Sequence, residues 1–182
     1  MEAPLKPRLD VVMWLIKQRI QELSQGSERI ARRDKILFGR IIEFHAKHEV
    51  ARVQMCIDEL TEVRKIARVI LRSLIALKKT LSRAEAVSEY GLAATRLTPA
   101  AYILRAISFQ LKTVFPVTGF KVDDLRERLS AIIVDAGMLT GSVSFESARK
   151  VAEEIMAEVD KTVDQTITSE LPPLPDLNPI SL

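Results

Sequence analysis

The stretch from Asp10 to Tyr90 contains no proline, and its apolar residues recur every three or four positions. This spacing is typical of a helix that buries one face. A straight helix of about 80 residues would extend about 120 Å and would have nothing to cover its apolar face. We therefore predict that the stretch, roughly residues 10–90, folds back on itself as a hairpin of two long helices.

Two apolar stripes define the arms of this hairpin. The stripe of the first arm, which Ser27 and Asp34 interrupt, is Ile16, Ile20, Leu23, Ile30, Leu37, Ile41 and Phe44. The stripe of the second arm, which Arg64 and Lys78 interrupt, is Val53, Ile57, Leu60, Ala67, Leu71, Leu74 and Leu81. Residues 45–49 separate the two stripes, and we predict the tip of the hairpin there.

The basic residues of the hairpin also fall into lines. They are Arg29, Arg32, Arg40 and Lys47 on the first arm, and Lys65, Arg68, Arg72 and Lys79 on the second. Residues 1–83 hold 18 Lys and Arg against 10 Asp and Glu, a balance of +8, whereas residues 84–182 hold 9 against 14, a balance of −5. This asymmetry indicates that the basic lines bind an anionic partner such as a membrane surface. The alternative is that each line is a solvated helical face.

Composition limits the fold class. Hydrophobic residues make up 47% of the 182 residues and charged residues 28%, which is typical of a folded protein, and no uncharged apolar run approaches the length of a membrane span. The single cysteine, Cys56, predicts a reducing compartment. We expect an all-α fold in which three shorter helices pack on a long basic two-helix hairpin, followed by a proline-rich C-terminal tail.

The N-terminal residues carry a second feature of interest. Because Pro4 and Pro7 disfavour a regular start, we expect an extended segment until Asp10 caps the first helix. A step of about 100° per residue places Val11 and Trp14 on the side of this helix away from the apolar stripe. They are either a possible membrane anchor or, for Trp14, a side chain that packs against another part of the chain.

The sequence offers little that could carry catalysis. His45 and His48 are the only histidines, and a solvated turn explains them better than a metal site, since no third ligand of a structural site accompanies them. No phosphate-binding glycine loop and no nucleophile with a base at a recognisable spacing are present. We therefore expect no catalytic, cofactor-binding or metal-binding residues, and a protein that is not an enzyme.

Three further helices are expected after the hairpin. A third helix should run from Pro99 to Val114 with Thr98 as its N-cap, and residues 115–119 should end it. A fourth should span about residues 122–138. A fifth should begin after Ser144 with the apolar face Phe145, Ala148, Ala152, Ile155 and Val159, and with an acidic opposite side that includes Glu153, Glu154, Glu158, Asp160 and Asp164.

This fifth helix is predicted to be a detachable regulatory element. Its acidic side suits the basic hairpin, so docking would hide the basic charge and undocking would release both that charge and an apolar groove. We accordingly divide the chain into a helical core at residues 1–140, a regulatory acidic helix at residues 141–169 and a tail at residues 170–182.

The tail repeats a Leu-Pro pair at a three-residue step. Such a segment favours the extended polyproline conformation and places Leu171, Leu174 and Leu177 along one edge. We interpret it as a recognition motif that docks into an apolar groove, in preference to a plain linker.

The basic hairpin, the segments at residues 31–38 and 59–66, the acidic fifth helix and the Leu-Pro tail together resemble the archaeal ESCRT-III proteins of the cell-division machinery. The resemblance implies a core that polymerises with itself and with homologous subunits into filaments at the inner face of the cell membrane. It also implies a fifth helix that regulates by folding back. The tail would bind the MIT domain of an AAA+ ATPase through Leu171, Pro172, Leu174, Pro175, Leu177 and Pro179. The predicted hairpin tip lacks the glycine that is often found there.

Two other classes of function compete with this interpretation. One is a basic helical protein that binds nucleic acid through phosphate contacts, although an aromatic content of 5% supplies few stacking platforms and we expect no nucleic-acid partner. The other is a helical adaptor that neither polymerises nor touches lipid. Vesicle sedimentation, a DNA gel shift and electron microscopy separate the three.

Overall fold

The computed structural model describes residues 4–140 and 144–174, and in that part of the chain five α-helices follow one another. They are α1 (Leu5–Ala46), α2 (Val50–Tyr90), α3 (Thr98–Val114), α4 (Pro116–Thr140) and α5 (Phe145–Glu170), with a short 3₁₀ helix at Ala94–Leu97 before α3. The all-α prediction and the long hairpin are confirmed. None of the described helices is long and apolar enough to cross a membrane.

The hairpin turns within residues 47–49, inside the predicted tip. His48 adopts a left-handed backbone conformation with φ of 59°, which is uncommon for a residue other than glycine. The backbone N–H of Glu49 donates to the carbonyl of Phe44 at 3.0 Å, which closes the turn. Histidine therefore takes a backbone conformation that glycine adopts more readily.

The hairpin contributes to two separate hydrophobic cores. Its open end packs with α3, α4 and α5 into the larger core, where the apolar faces of α3 and α4 are buried through Ile103, Ile107, Leu111, Leu125 and Leu129. The smaller core lies nearer the tip, and its six buried residues come from the two arms alone: Leu37, Ile41, Val53, Cys56, Leu60 and Val63. The hairpin thus extends beyond the bundle as a two-helix ribbon.

The expected extended segment before Asp10 is wrong, because α1 already begins at Leu5. Pro7 lies in the first turn, where a missing N–H breaks no intrahelical hydrogen bond. Leu9 and Val12 are each only 1% exposed, and their burial in the larger core stabilises this early start. Asp10 is therefore an interior residue of the helix and not its cap.

Two boundaries after the hairpin also differ from prediction. Thr98 is the first residue of α3 and not its N-cap, and its hydroxyl donates to the carbonyl of Thr95 at 2.7 Å. The loop predicted at residues 115–119 is absent, since Phe115 alone separates α3 from α4. Pro116 opens α4 at the first helical position, which its fixed φ favours.

Gly119 permits the close corner between α3 and α4. A Cβ atom at this position would lie 2.5 Å from the backbone nitrogen of Lys112, which is closer than any side chain tolerates. Glycine is therefore required here by close helix packing and does not mark a loop.

Candidate interaction surfaces of the hairpin and helix α5

The polar residues that interrupt the two apolar stripes meet each other between the arms. The carboxylate of Asp34, a residue only 4% exposed, accepts hydrogen bonds from Nε of Arg64 at 2.7 Å and from a terminal nitrogen at 3.3 Å. Such two-point pairing of guanidinium and carboxylate is the strong form of the ion pair. The complementary charge of Asp34 and Arg64 at interruptions of the two stripes is the sequence signal for this contact, which was not predicted.

Arg64 also reaches the start of the tail. Its remaining terminal nitrogen donates to the backbone carbonyl of Pro172 at 2.8 Å. One side chain on α2 therefore holds Asp34 of α1 and the residues that follow α5. The docked position of α5 is in this way connected to the pairing of the hairpin arms.

Helix α5 packs on the rest of the protein through one apolar face. Its buried residues are spaced by four, three and four positions: Ala152, Met156, Val159 and Val163. Ile155 and Ile167 are partly buried beside them. Burying a face of this size is worth roughly 5 to 10 kcal/mol gross, before the entropy of docking is subtracted.

The predicted apolar face of α5 is wrong at its N-terminal end. Phe145 is 59% exposed and Ala148 is half-buried, whereas Ala152 and Val159 are buried as expected. The reason is position along the helix, because Phe145 lies on the same side of α5 as Met156 and Val163 but the contact of α5 with the larger core begins only at Ala152. Ser144 precedes the helix as expected, but its side chain makes no capping hydrogen bond.

The acidic side of α5 lies against the basic line of the second arm. Arg68 pairs with Asp164, Nε of Arg72 lies 2.6 Å from Oδ1 of Asp160, and Nζ of Lys79 lies 3.3 Å from Oε2 of Glu158. Most of these side chains are exposed enough for solvent to screen the attraction, so each pair contributes about 1 kcal/mol or less. The apolar face supplies most of the docking free energy, and the ion pairs fix the register.

The remaining residues of the two basic lines are more accessible. Arg29, Arg32 and Arg40 on α1 are exposed and have no ion-pair partner among the described residues. Lys47 pairs with Glu43 at 2.6 Å, and Lys65 pairs with Glu62 at the same distance. The hydrogen bond that Lys47 donates to Glu43 lowers the pKa of Glu43 and raises the pKa of Lys47, so it favours the charged form of both groups.

The two candidate anchor residues of α1 both face outward. Trp14 is 57% exposed and Val11 is 49% exposed, and Leu5 in the first turn is 43% exposed. The alternative that Trp14 is packed inside the protein is therefore wrong. The exposed indole is a large apolar group on an otherwise basic helix.

Only part of the tail falls within the described residues. Leu171 follows α5 in an extended conformation and is half-buried, while Pro172 and Leu174 are exposed. Pro175, Leu177 and Pro179 lie outside the described residues. The Leu-Pro repeat thus starts directly after the last turn of α5.

Potential metal ligands do not cluster in residues 4–140 and 144–174. His45 and His48 are exposed at the hairpin tip, and no group of three His, Cys, Asp or Glu side chains in these ranges could hold a metal ion. Cys56 is buried in the smaller core.

Comparison with known proteins identifies relatives along nearly the whole chain. The protein named Cell division protein B1 from Sulfolobus acidocaldarius is 30% identical over 173 residues, which cover 94% of this chain and 81% of the relative. The protein named Cell division protein B from the same organism is 24% identical over 161 residues, which cover 88% of this chain and 62% of that relative. No family model and no solved structure matches the chain.

Proposed function

Because this chain belongs to the archaeal ESCRT-III family of the cell-division protein B type, we propose that it is a non-enzymatic, filament-forming protein that remodels membrane during archaeal cell division. It acts in the cytoplasm, at the inner face of the cell membrane at the division site. Its partners are further copies of itself and homologous subunits, an anionic membrane surface and the MIT domain of an AAA+ ATPase.

The observation that carries this proposal is the pairing of α5 with the basic line of the second arm. Arg68, Arg72 and Lys79 are neutralised by acids of α5, while Arg29 and Arg32 on the first arm stay exposed. Docked α5 therefore covers one of two basic surfaces suited to anionic lipid. Release of α5 adds that surface to the first and uncovers an apolar groove that a neighbouring copy can occupy.

The tail connects this change to the ATPase. Leu171, Pro172, Leu174, Pro175, Leu177 and Pro179 form the proposed MIT-interacting motif. The motif is an extended segment with regularly spaced leucines, and its prolines limit the entropy lost on docking. Because Arg64 holds the carbonyl of Pro172, a tail bound by the ATPase gives up a contact that helps to keep α5 docked.

The proposal is tested by comparing the full chain with a chain that ends at residue 143. We expect the shortened chain to form filaments at lower concentration and to sediment more completely with anionic vesicles, whereas neutral vesicles retain neither. Negative-stain microscopy and co-sedimentation are the measurements. A shortened chain that stays monomeric where the full chain assembles would identify α5 as a polymer contact. Binding to DNA but not to vesicles would support the nucleic-acid alternative.

A further inference from the structure

The corner between α3 and α4 exposes three large apolar side chains, which we call the corner patch. Phe109 on α3 is 76% exposed, and Val117 and Phe120 on α4 are 69% and 64% exposed. Nζ of Lys112 lies 4.9 Å from the centre of the Phe120 ring, and Phe109 stands one turn before Lys112 on the same helix. Apolar side chains grouped in this way mark an interaction surface.

The corner patch is held in a fixed arrangement. Phe115 is the only residue between the two helices, and Gly119 packs directly on the backbone of Lys112. Nζ of Lys112 also lies 3.0 Å from Oδ2 of Asp123 on α4. The patch therefore needs no rearrangement before it meets a partner.

The sequence from the end of α2 to the first turns of α4 carries basic residues and no acidic ones. Between Glu89 and Asp123 the chain contains no acidic residue, and its basic residues there are Arg96, Arg105, Lys112 and Lys121. Asp123, which ends this acid-free run, is neutralised by hydrogen bonds from Arg126 at 2.8 Å and from Lys112 at 3.0 Å. Of these basic residues, Arg105, Lys112 and Lys121 lie on the two helices of the corner. Lys112 pairs with Asp123 and Lys121 pairs with Glu22 at 3.3 Å, so a partner of the corner patch meets apolar groups with a partly neutralised basic border.

A cavity of about 820 Å³ adjoins the corner patch. Phe109 and Asp123 border it, and its lining also contains four basic residues. Arg72 pairs with Asp160 of docked α5, Lys112 and Arg126 pair with Asp123, and the fourth is Arg105. Arg105 has no ion-pair partner among the described residues. Arg72 donates to the side-chain oxygen of Gln110 at 2.8 Å, which connects the cavity with the basic line of the second arm. The lining at Arg105 would therefore suit a phosphate group.

We infer that the corner patch and the adjoining cavity form a lipid-contact site that remains available while α5 is docked. Phe109, Val117 and Phe120 enter the boundary between headgroups and acyl chains, and a lipid phosphate binds at the cavity beside Arg105. The inference rests on the proposed function and names the surface through which the docked form meets an anionic membrane. Charge complementarity and continuity with the basic line of α2 favour this occupant.

Two other occupants fit less well. A second copy that placed the same patch against this one would bring the basic border of each copy against the other, and like charges repel. A single-stranded nucleic acid needs open aromatic faces for stacking, whereas Lys112 already covers one face of Phe120 and Val117 offers no ring. A lipid surface can bury all three apolar side chains.

A fluorescence experiment on the full chain tests the position of the patch. Trp14 is the only tryptophan, so Trp14→Phe combined with Phe120→Trp creates a single reporter at the corner. With vesicles of mixed anionic and neutral phospholipid, we expect its emission to shift to the blue and brominated acyl chains to quench it. An emission that stays unshifted while the same protein sediments with the vesicles overturns the inference and leaves the proposed function intact.

A sedimentation experiment separates the apolar contribution from the basic one. At high salt, where charge attraction is screened, the double variant Phe109→Ala/Phe120→Ala should lower vesicle partitioning about tenfold or more. Tyr90→Ala is the matched control, because Tyr90 is 71% exposed but lies at the end of α2, near the opposite end of α3. We expect it to leave partitioning unchanged.

The remaining outcomes each identify a different partner or none. Equal partitioning by the double variant and the wild type overturns the lipid contact. Loss of self-association in the double variant without loss of vesicle binding assigns the patch to a second copy, and loss of DNA binding assigns it to nucleic acid. A wild-type chain that binds no anionic vesicle even at low salt rejects the membrane role itself, and this inference with it.

Discussion

Arg64 on α2 forms a two-point ion pair with Asp34 on α1, and both residues occupy positions that otherwise belong to the apolar stripes of the hairpin. The pair is largely shielded from water, since the side chains are 17% and 6% exposed. An ion pair in this position fixes the register of the two arms, because a shift of either helix would leave a charge among apolar side chains.

Removing one member of this pair should destabilise the protein strongly. We expect Arg64→Ala to lower the free energy of unfolding by about 3 kcal/mol, because it leaves the Asp34 carboxylate buried without its partner. Arg33→Ala is the matched control. Arg33 pairs with Glu59 across the same arms but is exposed, so its loss should cost about 1 kcal/mol or less. Urea unfolding followed by circular dichroism measures both, and equal losses would show that the buried pair has no special role.

A charge on the buried face of α5 should release this helix. Met156 is 8% exposed, and Met156→Asp would place a carboxylate in the larger core at a cost of about 2 kcal/mol or more. We expect faster proteolysis between α4 and α5, more assembly and stronger binding to anionic vesicles. Gln165→Asp introduces the same charge on the exposed side of the helix and should change none of these. If both variants behave like the wild type, α5 does not regulate assembly.

The two basic lines should contribute to membrane binding under different conditions. Arg29→Glu with Arg32→Glu should weaken binding of the intact chain to anionic vesicles, since these side chains are exposed in the docked form and each is worth about 1 kcal/mol at such a surface. Replacing Arg68, Arg72 and Lys79 by Glu should matter most in the Met156→Asp background, where α5 no longer pairs with them. Both effects should fade as salt is raised. Unchanged co-sedimentation at low salt would contradict the role of these residues.

Asp123 provides a pH-dependent part of the stability. Hydrogen bonds from Arg126 and then from Lys112 lower the pKa of its carboxyl group. A lowered pKa in the folded state means that the contribution is present above the unfolded pKa of about 3.9 and is lost as pH falls through the lower folded value. We expect Asp123→Asn to reduce Tm at pH 7 and the difference from the wild type to disappear in strong acid. A difference in Tm that stays constant from neutral to strongly acidic pH would rule out this ionic origin.

The tail should bind an MIT domain through its leucines. We expect a peptide of residues 165–182 to bind the domain with a Kd of micromolar to tens of micromolar, because only about ten residues make contact. Leu174→Asp should cost about 2 kcal/mol or more by placing a charge in an apolar pocket, whereas Asp176→Ala should have little effect. Calorimetry measures both. Equal binding by the Leu174→Asp peptide would show that the tail is only a linker.

The long-range architecture was predictable because apolar periodicity persists over many turns. The stripes through Ile16 and Leu60 required a partner for each arm, and a hairpin is the simplest way to supply one. The first residues of the helices were harder to predict. Pro7 and Pro116 were interpreted as helix breakers, yet the first turn of a helix tolerates proline. The burial of Leu9 in the larger core stabilises the start of α1 at Leu5, ahead of the predicted Asp10.

The surfaces were predictable only in part. Charge counting indicated that acids of α5 and bases of the hairpin suit each other, but it could not assign Asp160 to Arg72, since that depends on the docked register. The corner patch was not foreseen for a related reason. Phe109 and Phe120 belong to different helices, and the close approach at Gly119 that brings them to one surface leaves no periodic signal in the sequence.

The division of the interior into two cores has a mechanical consequence. The ribbon around Leu37 and Leu60 is only two helices thick, whereas at the other end of the hairpin the arms are braced by α3, α4 and α5. Bending stiffness rises steeply with the thickness of a beam, so a load applied to the chain deflects the ribbon long before it deflects the bundle. The ribbon is thus the part of the molecule that bends most easily, and the bundle is the stiffer part.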